Sequence, residues 1–573
     1  VEDLVVHPTP APPASKTQPQ SAQAPVGAAT VGDAAYPIPA GALFVAPDGA
    51  DSDAGTLHAP FRTLGHAVAV AHTGDTIVLR GGSYHESVAI QQKLTIQSYP
   101  HEAVWLDGSS RVSGWSATGK RWVKTGWTYT FDHSPTYTSG APDGTTLGWQ
   151  WINPKYPMAA HPDQFWLSGR PLRQVASLGQ VSAGTFYVDD AHHRAYLGSN
   201  PARHQVRAST IGQALTVDAA GTVVRGIGIR RYAPSVPQLG AVTLQRPSIT
   251  VDNVEISDMA TTGVFVGSDN VTLRDVTVKR SGLLGIGANE AYGIRLIGVN
   301  SSGNNVEQFN TAPVSGGVKI TRSRGILIQD SEFDRNTGPG IWLDESTYDS
   351  RIVGNRVSGN TGHGLSLEIS AKSLVAGNLF LRNGGDGIKV NNTSGVQVWN
   401  NTLVGTGRSL DLVQDKRVPT SSYARDSRRP FPDPTMTWRL GPVTASNNVL
   451  QNTSADCLLC TEDYTHKPSA RALGIHANGN IYNRPNVRPS WSVVWSRGSG
   501  DPSVYDTLSQ FHAATGQEAN GRLYDGLSVV NSNGVLAATV LARKASIARP
   551  LPSDVAAAVG QPSGSRQLGS WTN

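Results

Sequence analysis

Gly340-Ile341-Trp342-Leu343-Asp344 and Gly364-Leu365-Ser366-Leu367-Glu368 share one frame: glycine, apolar, any, apolar, any. The frame also opens at Gly317-Val318-Lys319-Ile320-Thr321 and Gly387-Ile388-Lys389-Val390-Asn391, so the four starts lie 23 or 24 residues apart. A fixed period of this length marks a solenoid in which each repeat is one coil. Strand alternation turns Val, Ile and Leu inward and sends the third and fifth residues outward. Stacking then sets Asp344 beside Glu368 on the outer wall, between Thr321 and Asn391. Two acids at one column position of adjacent coils point to catalysis.

Composition agrees with a β-rich chain. The protein has 573 residues, of which 16% are charged, below the roughly 25% of an average globular protein. Its 61 glycines suit many tight corners. A net charge of +5 without any Lys/Arg run argues against a nucleic-acid partner. No apolar run reaches the ~18 residues of a membrane span. Cys457 and Cys460 are the only cysteines. The second half of a zinc-ligand pattern is missing, so a local disulfide in an exported protein is the expectation, with no metal or cofactor.

Residues 1–40, dominated by Ala, Pro, Gln and Ser, read as a disordered linker behind a removed export signal, and hence as a secreted protein. Order is expected from Leu43-Phe44-Val45, with a short helix over Ala67–Ala71 and strands at Thr76–Arg80 and Lys93–Gln97. Residues 41–111 are therefore an N-terminal cap and first coils. Residues 112–208 break the period and hold six of thirteen tryptophans. Phe165–Leu172 and Gly184–Asp189 resemble hairpin strands, so an inserted β-sandwich is expected, with Trp149, Trp151 or Trp166 available to line a cleft. The solenoid resumes over 209–490, with about eight coils before Gly407. Asn355, Asn378 and Asn401, spaced by 23, form an internal ladder without chemistry. Residues 408–440 form a long excursion, and 491–573 a C-terminal capping region with helices near Leu508–Ala514 and Pro552–Gly560.

The run from Phe44 through Asp75-Thr76-Ile77 to Gly81-Gly82-Ser83-Tyr84 resembles the entry segment of secreted right-handed parallel β-helix proteins of the pectate-lyase-like superfamily. That superfamily includes lyases, epimerases, glycosidases and non-catalytic proteins, so the resemblance implies fold rather than function. The implied class is all-β: a right-handed parallel β-helix with an inserted β-sandwich domain and short helical caps.

Neighbouring parallel strands lie about 4.7–4.9 Å apart, and equivalent side chains inherit that spacing. Retaining glycosidases hold their carboxyls about 5–5.5 Å apart, whereas inverting enzymes need ~6.5–9.5 Å. Adjacent coils therefore favour retention. Gly340–Asp344 followed one coil later by Glu368 is similar to the catalytic segments of glycoside hydrolase family 120 β-xylosidases, which are also β-helices interrupted by a β-sandwich. The resemblance implies Asp344 as nucleophile, Glu368 as acid/base, and a pentose-containing carbohydrate (xylan- or arabinan-type) as substrate.

Candidate substrate contacts are Lys319, Trp342, Ser366 and Lys389 at the third position, Asn391 at the fifth, and Glu345 and His363 beside the strand ends. Trp342 could stack on a sugar or pack beneath the insertion. Lys389 could bind a hydroxyl or neutralise Glu368, and His363 and Asp386 suit turns. Two rival functions remain at this stage. A polysaccharide lyase or uronate epimerase would use Lys319 or Lys389 as base. A non-catalytic carbohydrate-binding surface protein would carry the acids as a solvated face. The sequence does not specify the oligomeric state.

Overall fold

The computed structural model describes residues 26–134, 150–453 and 456–571. Residues 1–25 of the expected linker, and Trp149, lie outside the described residues. Three 13-stranded sheets, almost wholly parallel, wind as successive faces of one β-helix. The first sheet runs from Leu43–Val45 to Ile475–Asn478, and the third from Gly82–Tyr84 to Arg522–Asp525. The second carries the glycine frame and is called the site sheet. Its strands include Gly316–Thr321, Ile341–Asp344, Leu365–Glu368, Ile388–Asn391, Leu410–Gln414 and Leu459–Asp463.

The frame explains itself at close range. Val318, Ile320, Ile341, Leu343, Leu365 and Leu367 are fully buried in the interior. A Cβ on Gly364 would stand 2.6 Å from the Gly387 carbonyl oxygen and 2.7 Å from the Phe380 ring. Glycine is thus required where the chain enters the strand against its own core. Leu410–Gln414 corrects the sequence expectation, which put this segment in the excursion. Leu410 pairs with Ile388, and Ser409 takes the register of Gly387, so the alternation persists where the glycine marker is lost. The excursion proper is 415–442, leaving at the corner between the site sheet and the first sheet.

At the corner between the first and third sheets, the Asn355 side chain donates to Asn378, which donates to Asn401, each at 2.9 Å. The ladder continues through Asn448 and Asn480 to Glu518. A second ladder joins Asn304, Asn336, Asn360 and Asn383. Each amide meets buried backbone groups that would otherwise be orphaned.

Residues 109–209 interrupt the coil between the third sheet and the site sheet with two small sheets, of four and five strands. Val112, Trp127, Phe165, Phe186, Val188, Leu197 and Val206 share one apolar cluster between them. Trp166 is 3% exposed and lies under Arg231 of the coil, where the insertion meets the β-helix.

Two expectations at the chain ends are corrected. Residues 26–40 are not free linker but run along the corner between the first and third sheets. Gly27 and Ala29 donate backbone N–H groups to the Gly298 carbonyl (2.9 Å) and to Asn253 Oδ1 (2.7 Å), while Tyr36 donates to Asp252 at 3.0 Å. Coil corners supply acceptors that a Pro/Ala-rich strand cannot find in a ladder of its own. At the other end, helix Leu508–Thr515 does close the last coil, with Phe511 against Trp495 and Tyr505. Helix Ser553–Ala558 does not cap. Val555, Ala556 and Leu551 pack on Ala376 and Trp399 of the outer first sheet, several coils back. Cys457 and Cys460 form a disulfide and are buried. Among the described residues, no helix is long and apolar enough to cross a membrane.

Candidate active site

The site sheet pairs Lys319 with Trp342 and Thr321 with Asp344, then Trp342 with Ser366 and Leu343 with Leu367. The next rung pairs Ser366 with Lys389 and Glu368 with Asn391. Asp344 and Glu368 therefore close their strands at successive rungs on the outer face. That face is not a solvated wall. Asp344 is 6% exposed and Lys319 7%.

Each carboxylate has its own cation. Lys319 Nζ lies 3.0 Å from Asp344 Oδ2, donates to the Pro313 carbonyl at 2.9 Å, and stands 3.5 Å from the centre of the Trp342 ring. Arg417 Nη1 donates to Glu368 Oε1 at 2.6 Å. Trp342 joins the two halves, because its indole N–H donates to Glu368 Oε2 at 3.1 Å. The ring face that might have met a sugar is taken by Lys319, so Trp342 serves as a buried spacer between the acids. The backbone N–H of Glu345 also donates to Asp344 Oδ1 at 2.7 Å. Burial pushes the Asp344 carboxyl up to about 7. Lys319 opposes that rise, and Glu368 and Glu345 add to it.

The other expected contacts divide. Ser366 is buried in the third-position column, and Asn391 is buried beside Glu368 with its Oδ1 lacking any partner. Lys389 continues the column between Ser366 and Asp411. Glu345 takes a left-handed φ of 50° and turns its carboxylate to Arg322 at 2.5 Å. His363 sits at the opposite end of the strand from Glu368. There its Nδ1 accepts from the Asp386 backbone N–H at 3.0 Å and lies 3.2 Å from the Asp386 carboxylate. It belongs to a turn network with Arg408, which donates its backbone N–H to Asp386 and pairs with Asp411 and Glu462.

Arg417 escaped the sequence reading. It arrives on the 415–442 excursion, braced by Asp415, which it contacts at 2.9 and 3.1 Å and which Asn392 also holds. The same excursion covers the corner after both acids. Ser346 donates to the Ala424 carbonyl, and Ile369 packs with Ala424, Met436 and Trp438. The available signal was positional: the excursion leaves the site sheet at the corner nearest the fifth column. On the strand-entry side, Trp151, Ala159, Ala160, Phe309 and Val314 form a second wall against Leu283 and Leu284.

Comparison with known proteins bears on the fold. A family profile described as "Right handed beta helix region" matches residues 240–403, and a family of unknown function, DUF1565, matches residues 47–146. Uncharacterized protein YwoF of Bacillus subtilis is 38% identical over 74 residues, 12% of this chain and 16% of its own length. Pectate lyase PEL9 of Emericella nidulans is also 38% identical over 74 residues, 12% of this chain and 18% of its own. The matched stretch thus spans less than a fifth of these curated relatives. Among solved structures, XylC in complex with xylose superposes with a TM-score of 0.61 at 14% identity, covering 84% of this chain and 86% of that one. The chain is a right-handed parallel β-helix, as the entry segment implied.

Proposed function

We propose that the protein is a retaining glycoside hydrolase acting on pentose-containing glycans, with Asp344 as nucleophile and Glu368 as acid/base. The carrying observation is that two carboxylates end adjacent rungs of one sheet, about 4.8 Å apart in strand spacing, within a walled and largely buried site. Asp344 attacks the anomeric carbon as the bond to the leaving oxygen breaks, and that oxygen takes the proton of Glu368. Glu368 then removes a proton from water, which attacks the same carbon and frees Asp344. Lys319 favours the charged form of Asp344 against burial. Arg417 Nη1 holds Glu368 Oε1 at 2.6 Å, so donation to the leaving oxygen requires that contact to loosen.

The likeness to XylC supports the fold of this proposal and leaves its substrate to experiment. Aryl pentosides and pentose-containing oligosaccharides should release reducing sugar without forming a new double bond. Asp344→Asn and Glu368→Gln should each lower turnover by about 100-fold or more. Full turnover in both variants, or an unsaturated product, would refute the assignment.

A further inference from the structure

Next to Arg417, the excursion and the turn after Asp463 line an open cavity of about 730 Å³. Its lining is lopsided in charge. Lys416, Arg417, Arg439 and Lys467 face it, against the single carboxylate of Asp415. That carboxylate is already committed to Arg417 and Asn392. Arg439 reaches the Ala472 carbonyl at 2.9 Å, while Lys416 and Lys467 form no ion pair among the described residues. Trp438 also lines the cavity. It is 2% exposed and packs with Ile369, Ala424 and Met436, giving the cleft one apolar side.

We infer that this cavity is a subsite for a carboxylate-bearing sugar, a uronic acid carried by the same glycan whose bond is cut at Asp344 and Glu368. The inference rests on the glycosidase assignment and narrows its substrate class. Size fits a sugar, since ligand pockets run from about 300 to 1,000 Å³. Cations of this density fit an anion, and the planar guanidinium of Arg417 matches a carboxylate. Arg417 gives the subsite a second role. It lines the cavity and holds Glu368 at 2.6 Å, so a carboxylate that draws it away frees the Glu368 carboxyl to face the leaving oxygen. Acidic substrate would then raise kcat as well as lower KM.

The test compares neutral and uronate-substituted oligosaccharides of the same backbone, on the wild-type enzyme and on Lys416→Gln/Lys467→Gln. The expected wild-type preference in kcat/KM is about ten- to a hundredfold for the acidic substrate, one charge-assisted contact. It should fall toward one in the double variant and shrink with added salt. Equal rates for both substrates in wild type would overturn the subsite while leaving the hydrolase assignment standing. If no glycoside is turned over, tryptophan fluorescence decides independently. Saturable quenching by the acidic oligosaccharide, weakened in the double variant and not reproduced by inorganic phosphate, upholds the subsite. No quenching, or equal quenching by phosphate alone, rejects it.

Discussion

Burial places Asp344 where its charged form is disfavoured, and Lys319 is the cation that works against this. The nucleophile proposed here must be ionised, so kcat/KM should rise as pH climbs through about 7 and Asp344 loses its proton. Lys319→Met keeps the stem and removes the charge. The opposing influence is then gone, and the acid limb should move to higher pH in a pH–rate profile. An unmoved limb would show that Lys319 does not tune Asp344. At this scale the sequence was legible for residues held by the period: Lys319, Trp342, Asp344, Ser366, Glu368 and Asn391 stand in the expected columns. What it could not convey was partnership. Alternation says that Trp342 points outward, but not that Lys319 covers its ring or that its N–H reaches Glu368. Arg417 had no period to betray it, since its position depends on how a loop folds back.

The asparagine ladder ends on a buried acid. Glu518 accepts from the Asn480 backbone at 3.2 Å, from its side chain at 2.6 Å and from the Tyr482 hydroxyl at 3.0 Å. Burial nevertheless pushes its carboxyl up from 4.5 to about 7. Between those values the folded chain binds a proton that the unfolded chain has lost, so this contribution is complete below about 4.5 and disappears as pH rises through 7. Thermal unfolding of Glu518→Gln against wild type should show the variant gaining relative stability from pH 5 to pH 8. A difference independent of pH would contradict this. Within the ladder, Asn378→Ala strands the Asn355 backbone N–H and the Ile352 carbonyl, and should cost about 1–3 kcal/mol in denaturant unfolding. The ladder could be read because identical residues recur at the coil spacing. Strand Leu410–Gln414 was hidden because Ser409 replaced the glycine while the apolar alternation continued beneath it.

Across the whole molecule, the segments flanking the coils act as belts. Val529, Val530, Leu536, Val540 and Ile547 lie on outward Leu379, Leu381, Val404, Val449 and Ile481 of the third sheet. Removing residues 527–571 would bare that apolar stripe, and should lower Tm by more than about 5 °C and increase binding of a hydrophobic dye. Unchanged dye binding and Tm would mean the belt is dispensable. The period foretold the coils but not where the aperiodic ends would dock, because that depends on apolar residues exposed on the outside of the helix. The proposed activity turns on a division of labour between the two acids, and azide rescue reads it directly on any aryl glycoside the protein turns over. Asp344→Gly with azide should yield the glycosyl azide of opposite anomeric configuration to the substrate, and Glu368→Ala the azide of the same configuration. Interchanged products, or no rescue of either variant, would contradict the assignment.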